Sequence, residues 1–161
     1  MSLHKYLPDP STKSLDALVV DIDRGMTKIP QFQRDFVWTK QKSADLLDSI
    51  LKGYPIGTFI YWETKEELRS VRNIGGLELP DTPKGKFVQY VLDGQQRLTS
   101  LYAAVKGAKI DRDGEEEDFS EFWVDLEAGA DEPIVVPDRE DGAAEDRYIK
   151  LSTLLYGKLK D

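Results

Sequence analysis

Residues 87–107 read FVQYVLDGQQRLTSLYAAVKG, and this stretch predicts a strand that runs directly into a helix. The apolar and aromatic run at 87–92 is typical of a buried strand. Apolar residues then recur at helical spacing from Leu98 to Val105, and Gly107 marks the end of the helix. The stretch therefore predicts a domain that combines strands and helices.

The polar segment 93–97, Asp-Gly-Gln-Gln-Arg, lies at the junction between this strand and this helix. The first N–H groups of a helix have no partner within it, and they carry a partial positive charge. Gly94 allows a sharp turn and a close approach by an anion, and Arg97 can add a guanidinium to the same anion. The segment therefore predicts a phosphate-binding site.

The other side chains of the segment suit phosphate chemistry as well. Asp93 follows the strand and is placed to hold Mg²⁺ or to orient an attacking water. Gln95 and Gln96 can contact a phosphate, a ribose or that water. A simpler alternative stays open, because Asp93 can instead cap the helix over Gln95 and Gln96. The chain has neither a P-loop pattern nor a Gly-x-Gly-x-x-Gly pattern, so neither of those nucleotide sites is supported.

A second polar cluster lies in residues 29–38, IPQFQRDFVW, which we expect to be extended or irregular because proline disfavours helix at the residue before it. Gln33 and Arg34 stand there among apolar residues, where burial is costly unless they have partners. An anion or the edge of a base would satisfy them. The alternative is that Arg34 pairs with Asp35 or Asp48 while the aromatic residues fill the core.

Other patterns predict the remaining elements of one α/β or α+β domain. Ser14, Thr39 and Ser152 are expected to cap three helices, and residues 63–86 to form a long loop with a short hairpin. The expected helices cover about 15–24, 40–52 and 98–106, with a fourth after Ser152; the expected strands cover 58–62, 87–92, 122–126, 134–136 and 148–151; and Trp38, Trp62 and Trp123 are expected in the core.

The chain is acidic, with 30 Asp and Glu against 22 Lys and Arg and a net charge of −8 over 161 residues. A domain that binds duplex DNA broadly needs a basic face, so this balance argues against that role for the chain by itself. Much of the charge lies in 111–121 and 138–146, which we expect to be solvated loops. Cysteine is absent, which excludes disulfides, and the single histidine, His4, argues against a zinc site.

Residues 1–13 predict a flexible lead-in, and residues 14–161 predict one domain. The last expected helix has barely begun at Asp161, so we expect the domain to be cut from a longer protein. No apolar run approaches the ~18–20 residues of a membrane span, and no signal sequence opens the chain. We therefore expect a cytoplasmic protein without membrane contact.

Three stretches resemble, in order and spacing, the N-terminal domain of GmrSD-type restriction endonucleases, a domain similar to the ParB-like nuclease family. The resemblance runs over about residues 14–106 and implies a ParB/sulfiredoxin-like fold, which is a small mixed sheet with flanking helices. The stretches are residues 29–38, residues 47–57 through Leu47, Ile50, Leu51, Gly53, Pro55, Ile56 and Gly57, and residues 90–101, YVLDGQQRLTSL.

In such domains the strand-to-helix motif holds a nucleotide's phosphates, and its Asp-Gly-Gln-Gln-Arg form is associated with nucleoside triphosphate (NTP) hydrolysis that licenses cleavage of modified DNA. Cleavage itself belongs largely to a C-terminal His-Asn-His-type nuclease domain, for which this chain has no room. Carried over, the resemblance implies nucleotide binding by Gln33, Arg34, Gly94, Gln95, Gln96 and Arg97; catalytic roles for Arg34, Asp93, Gln96 and Arg97; and Mg²⁺ at Asp93, with the base unspecified.

Three functions follow as hypotheses. The first is Mg²⁺-dependent NTP hydrolysis within a phage-defence protein, with Asp93 on the metal or the water and Arg34 and Arg97 stabilising the transferring phosphoryl group. The second is a nucleotide-gated module that binds modified DNA with little hydrolysis. The third is phosphodiester cleavage by this domain. The expected partners are an NTP, DNA through the full-length protein with its nuclease domain, and, as an open alternative, a second copy in a homodimer.

Overall fold

The computed structural model describes residues 9–33 and 35–156. Helices and short strands mix in this part of the chain, which confirms the expected α+β class. The helices are α1 (Leu15–Asp23), α2 (Lys40–Leu51), α3 (Gln95–Lys106) and α4 (Leu151–Tyr156); the strands are β1 (Thr27–Lys28), β2 (Ile60–Thr64), β3 (Asn73–Ile74), β4 (Leu77–Glu78), β5 (Val88–Asp93), β6 (Lys109–Arg112), β7 (Glu115–Asp118), β8 (Trp123–Asp125), β9 (Val135–Val136) and β10 (Tyr148–Lys150).

Strand β5 is the middle strand of a three-stranded mixed sheet in the order β1-β5-β2. It runs parallel to β1 and antiparallel to β2. A second, antiparallel sheet has the order β10-β8-β9, and β3-β4 and β6-β7 form separate hairpins. The small mixed sheet with flanking helices is the arrangement that we expected. At the carboxyl end of β5, Asp93 lies opposite Ile60 of β2, whereas the pairing with β1 ends at Tyr90.

Helix α3 forms the centre of the core. Leu98, Leu101 and Tyr102 are at most 2% exposed, and α3 packs against both α1 and α2. The small residue Ser100 is fully buried on the same helix, which lets neighbouring elements approach closely. Because α3 is buried on several sides and follows β5 directly, the β5–α3 junction has a fixed place in the fold.

Two of the three expected helix caps are present. The hydroxyl of Ser14 accepts a hydrogen bond from the N–H of Ala17, and that of Thr39 accepts one from the N–H of Lys42, each at 3.2 Å. The prediction that Ser152 caps α4 is wrong. Leu151 already begins this helix and donates its N–H to the carbonyl of Phe122 at 2.8 Å, so the chain passes from β10 into α4 without a separate cap.

The acidic run 111–121 is not a loop throughout, contrary to the prediction. It forms most of the β6–β7 hairpin, whose two-residue turn places Asp113 at φ 55° and Gly114 at φ 89°. Two consecutive positive φ angles are typical of a type I′ turn, for which Asp-Gly is a favoured sequence. The other acidic run, 138–146, has no regular secondary structure, as expected.

The tryptophans are less buried than expected. Trp62 is 39% exposed because it lies on β2, an edge strand of the mixed sheet, so its assignment to the core is wrong. Trp38 and Trp123 are half-buried, and each has a cation over its ring, Lys42 at 4.8 Å and Arg139 at 4.4 Å. Cation–π contacts of this kind allow an aromatic side chain to cover the core from the surface.

The first eight residues of the expected lead-in lie outside the described part of the chain, and residues 9–13 have no regular secondary structure. Lys13 nonetheless has defined partners, since its Nζ donates to Asp21 Oδ2 at 2.7 Å and to Gln89 Oε1 at 2.9 Å. In residues 9–33 and 35–156, no helix has the length and apolar character needed to cross a membrane.

Candidate functional site

The turn between β5 and α3 depends on Gly94. This residue is the N-cap of α3 and has φ 91°, a conformation that glycine adopts readily. A Cβ at this position would lie 2.5 Å from Cδ1 of Phe59, so the space also requires glycine. The N-cap position of α3 is therefore taken by Gly94 and not by Asp93, which argues against the alternative in which Asp93 serves as the helix cap.

The two glutamines of the motif point into the protein. Gln95 and Gln96 are only 7% and 6% exposed. Gln96 Nε2 donates to the backbone carbonyl of Asp35 at 2.8 Å, and its Oε1 accepts from the N–H of Val37 at 2.9 Å. Its amide therefore ties α3 to the second polar cluster through two main-chain groups.

Arg97 joins the motif to the chain that follows α2. Its Nη1 donates to the carbonyl of Ile56 at 2.7 Å, and its Nη2 donates to that of Thr58 at 2.8 Å. The guanidinium also lies 5.0 Å from the centre of the Phe59 ring. The side chain is 18% exposed, so Arg97 is a partly buried cation that holds residues 56–59 beside the junction.

Gly57 makes room for that guanidinium. It has φ 86°, and a Cβ there would lie 2.5 Å from Nη1 of Arg97. The glycine and the arginine are forty positions apart in sequence, yet each fits the other in the structure. The second and third stretches of the resemblance therefore meet at this contact.

Asp93 lies at the open side of the junction. Its side chain is 64% exposed, and its Oδ2 is 3.5 Å from Nη2 of Arg97. A weak contact with one cation leaves this carboxylate accessible to solvent and to a ligand. The described residues contain no group of three or more His, Cys, Asp or Glu side chains that could hold a metal ion, so a metal at Asp93 would need oxygen ligands from water or substrate.

The structure brings part of the second cluster to the motif. Gln33 Nε2 donates to the backbone carbonyl of Leu92 at 3.2 Å. Arg34 lies outside the described residues. Phe32 and Val37 are 69% and 53% exposed, so the expectation that the apolar residues of this stretch surround the polar ones, or fill the core, is wrong for these two.

Asp48, a proposed partner for Arg34, has other contacts. Its Oδ1 accepts from the N–H of Ile134 at 2.7 Å and from that of Val135 at 3.2 Å. Its Oδ2 is 2.8 Å from Nζ of Lys52. Burial opposes ionisation here, but Lys52 and these two N–H groups hold the pKa of Asp48 below its ordinary value. Asp48 therefore joins α2 to β9.

A cleft of about 200 Å³ opens where the motif and the second cluster meet. It includes the β5–α3 junction, and the exposed carboxylate residue Asp93 borders it. The residues that line it are Gln33, Trp38, Leu92, Asp93, Gly94, Gln95, Gln96 and Arg97. Every predicted site residue within the described ranges therefore contributes to this one cleft.

Tyr61, which neighbours Phe59, has a buried hydroxyl. Burial is the main cause that raises its pKa to about 12, the carboxylate of Asp21 adds to the shift, and the charge of Arg97 opposes it. The phenol is therefore neutral at physiological pH. Its ring stacks on that of Phe59 at 6.3 Å, which supports the residues that Arg97 holds.

Sequence reasoning missed one contributor to this region, Arg112 of β6. Its Nη1 donates to the carbonyl of Val37 at 3.2 Å, and its Nη2 donates to that of Trp38. Arg112 stands in an acidic run, so nothing local in the sequence distinguishes it from a solvated hairpin residue. The role of Arg112 becomes evident only from its contacts in the folded structure.

The family model of the GmrSD restriction endonuclease N-terminal domain matches residues 15–156 of the chain. The uncharacterized protein MJ0686 of Methanocaldococcus jannaschii is 43% identical over 98 residues, which cover 58% of this chain and 17% of that protein. The similar part is thus less than a fifth of that relative's length. The family match extends beyond the motifs to both sheets and reaches α4.

Proposed function

This chain belongs to the family of GmrSD restriction endonuclease N-terminal domains, and we propose that it binds and hydrolyses a nucleoside triphosphate within a restriction protein that acts on modified DNA in phage defence. The observation that carries the proposal is the cleft at the β5–α3 junction. The N-terminus of α3 begins there at the glycine turn of Gly94, beside the cation of Arg97. These features favour binding of an anion.

The size of the cleft suits the phosphates of a nucleotide. Pockets for whole small molecules usually measure about 300–1,000 Å³, and this cleft measures about 200 Å³. We therefore place the phosphate groups in the cleft, with the ribose and base extending past its open rim. Gln33 and Trp38 line the cleft on the side of the second cluster, where they are available to contact the sugar or the base.

Mg²⁺ fits this arrangement as a companion of the substrate. Mg²⁺ is commonly bound through one or two carboxylates together with substrate phosphates and water. Asp93, exposed at the rim, provides one carboxylate for such a site. The ion would neutralise negative charge on the phosphates, while Asp93 is also close enough to the junction to orient a water.

The contacts of Gln96 and Arg97 suggest a structural task for each beside the roles expected from the resemblance. The amide of Gln96 is engaged by Asp35 and Val37, so we assign it to positioning the second cluster. Both Nη atoms of Arg97 donate to carbonyls, which fixes its positive charge next to the cleft. A fixed charge of this kind stabilises developing negative charge without the cost of reorganisation.

A second candidate is nucleotide-gated binding with little hydrolysis. The observation that favours it is that Gln96 and Arg97 connect the motif to two separate chain segments, 35–37 and 56–58. A ligand that competes for these side chains would shift both segments. The net charge of −8 argues against broad DNA binding by this chain itself.

Release of phosphate from the Mg²⁺ complexes of ATP, GTP, CTP and UTP by the purified chain separates the two candidates. We expect turnover of at least one NTP, loss of turnover in Asp93→Ala, and no change in Asp131→Ala, which alters an exposed aspartate outside the cleft. Thermal unfolding confirms that both variants are folded. Equal rates of phosphate release by Asp93→Ala and wild type would remove Asp93 from the mechanism. Binding of an NTP, measured by calorimetry, without release of phosphate would favour the gating function.

A further inference from the structure

The segment 35–38 is held from two opposite elements. From α3, Gln96 contacts the carbonyl of Asp35 and the N–H of Val37. From the β6–β7 hairpin, Arg112 donates to the carbonyls of Val37 and Trp38. Two side chains from distant parts of the sequence thus satisfy four main-chain groups of a segment that has no regular secondary structure.

Arg112 is itself fixed in place. Its Nε lies 2.9 Å from Oε2 of Glu117 on the paired strand β7, and its side chain is 25% exposed. Its guanidinium lies 5.3 Å from the centre of the Phe36 ring, and that ring meets Phe119 edge-on at 5.6 Å. A planar cation held by an ion pair, an aromatic ring and two carbonyls has little freedom to move.

The segment ends at Trp38, which lines the cleft. The carbonyl of Trp38 accepts a hydrogen bond from Arg112, so Arg112 contacts a residue of the cleft lining directly. Gln33, which also lines the cleft, has separate contacts, since its N–H donates to the carbonyl of Pro30 and its Nε2 donates to that of Leu92, each at 3.2 Å.

We propose that Arg112 is a positioning residue for the nucleotide site: it fixes residues 35–38 and thereby holds Trp38 at the cleft. This inference rests on the proposed nucleotide-binding function. Arg112 does not line the cleft, so its effect on a ligand passes through the segment that it holds. The β6–β7 hairpin, which carries Arg112, thereby helps to position the nucleotide site.

Arg112→Lys tests the proposal, because lysine keeps the charge but cannot donate to both carbonyls from a planar fork. Amide hydrogen exchange at Val37, measured without nucleotide, reports whether the segment is held. Calorimetry with Mg²⁺ and each of the four NTPs reports the effect on the site. The matched control is Arg72→Lys, which alters an exposed arginine paired with Asp81 outside the cleft.

We expect faster exchange at Val37, unchanged exchange at Leu101 in the core of α3, and a dissociation constant raised about tenfold, as for one lost hydrogen bond to a charged group. The control should match wild type in all three. Unchanged exchange at Val37 would show that Arg112 does not hold the segment and would overturn the proposal.

Two other results would also overturn it. Faster exchange at Val37 with an unchanged dissociation constant would give Arg112 a structural role only. Failure of the wild-type chain to bind any of the four NTPs would refute the proposed function, and the inference with it, while the exchange data would still show whether the segment is held.

Discussion

Gln96 accepts a hydrogen bond of 2.9 Å from the backbone N–H of Val37, fifty-nine positions away in the sequence. The same amide donates to the carbonyl of Asp35 at 2.8 Å. One buried side chain therefore pairs a donor and an acceptor of an irregular segment, as a neighbouring strand would. The motif at the start of α3 therefore has two roles: its residues line the cleft, and Gln96 holds the neighbouring segment in place.

Gln96→Ala should lower the free energy of unfolding by about 1–3 kcal/mol, because it leaves polar main-chain groups of Asp35 and Val37 without their partner. Urea denaturation measures this loss. Gln41→Ala is the matched control, since Gln41 is an exposed glutamine on α2 that bonds only across the helix surface to Asp45. Equal free energies of unfolding for the two variants would contradict the inference that Gln96 stabilises the segment of Asp35 and Val37.

Gly57 and Arg97 should be coupled energetically. Gly57→Ala must adopt a positive φ and also displace Nη1 of Arg97, whereas Gly53→Ala meets only the backbone cost, because a Cβ there has open space. We expect roughly 1–2 kcal/mol for the backbone cost alone and about 1–3 kcal/mol more at Gly57 for overpacking.

A double-mutant cycle isolates the steric part of that cost. In an Arg97→Ala background, Gly57→Ala should cost no more than Gly53→Ala, because the guanidinium that it would displace is gone. Chemical denaturation of the four proteins gives the coupling energy. Additive effects of Gly57→Ala and Arg97→Ala would show that the two residues do not constrain each other.

Asp125 should make stability depend on pH. Its carboxylate takes hydrogen bonds from Arg147, at 3.0 Å from Nε and 2.6 Å from Nη2. Arg147 is the main cause that lowers the pKa of Asp125 from its ordinary value of 3.8, burial opposes the shift, and the N–H of Glu127 adds to it.

A lowered pKa in the folded state stabilises the protein above the ordinary value, and this contribution is lost as the pH falls through the folded value. The difference in unfolding free energy between wild type and Asp125→Asn should be constant above about pH 5 and shrink below about pH 4. Urea unfolding at a series of pH values measures it. A difference that stays constant down to pH 3 would contradict the ion pair's contribution.

Local signals in the sequence predicted the helices well. Ser14 and Thr39 cap the helices that they were expected to cap, because a cap bonds an N–H only three positions away. Five strands were also predictable in type and order, but β1 of the mixed sheet was missed. The β6–β7 hairpin was missed because its charge suggested a solvated loop, although the Asp113–Gly114 turn carried a local signal for a hairpin.

Most residues that line the cleft were predictable from the sequence, but their contacts were not. The resemblance named Gln33, Gln96 and Arg97, and all three line one cleft. Their partners lie between 39 and 61 positions away along the chain. Contacts between residues so far apart in sequence leave no local pattern from which they could be predicted. The contacts show that Gln96 and Arg97 also support the chain segments beside the cleft.

Isothermal calorimetry of the purified chain with ATP, GTP, CTP and UTP, with and without Mg²⁺, tests the nucleotide site most directly. We predict saturable binding of at least one NTP, loss of that binding in Asp93→Ala, and weakening by about 1–3 kcal/mol in Arg97→Ala, the scale of a charge-assisted hydrogen bond. Absence of binding to all four NTPs by the folded wild-type chain would contradict the assignment of the β5–α3 cleft as a nucleotide site.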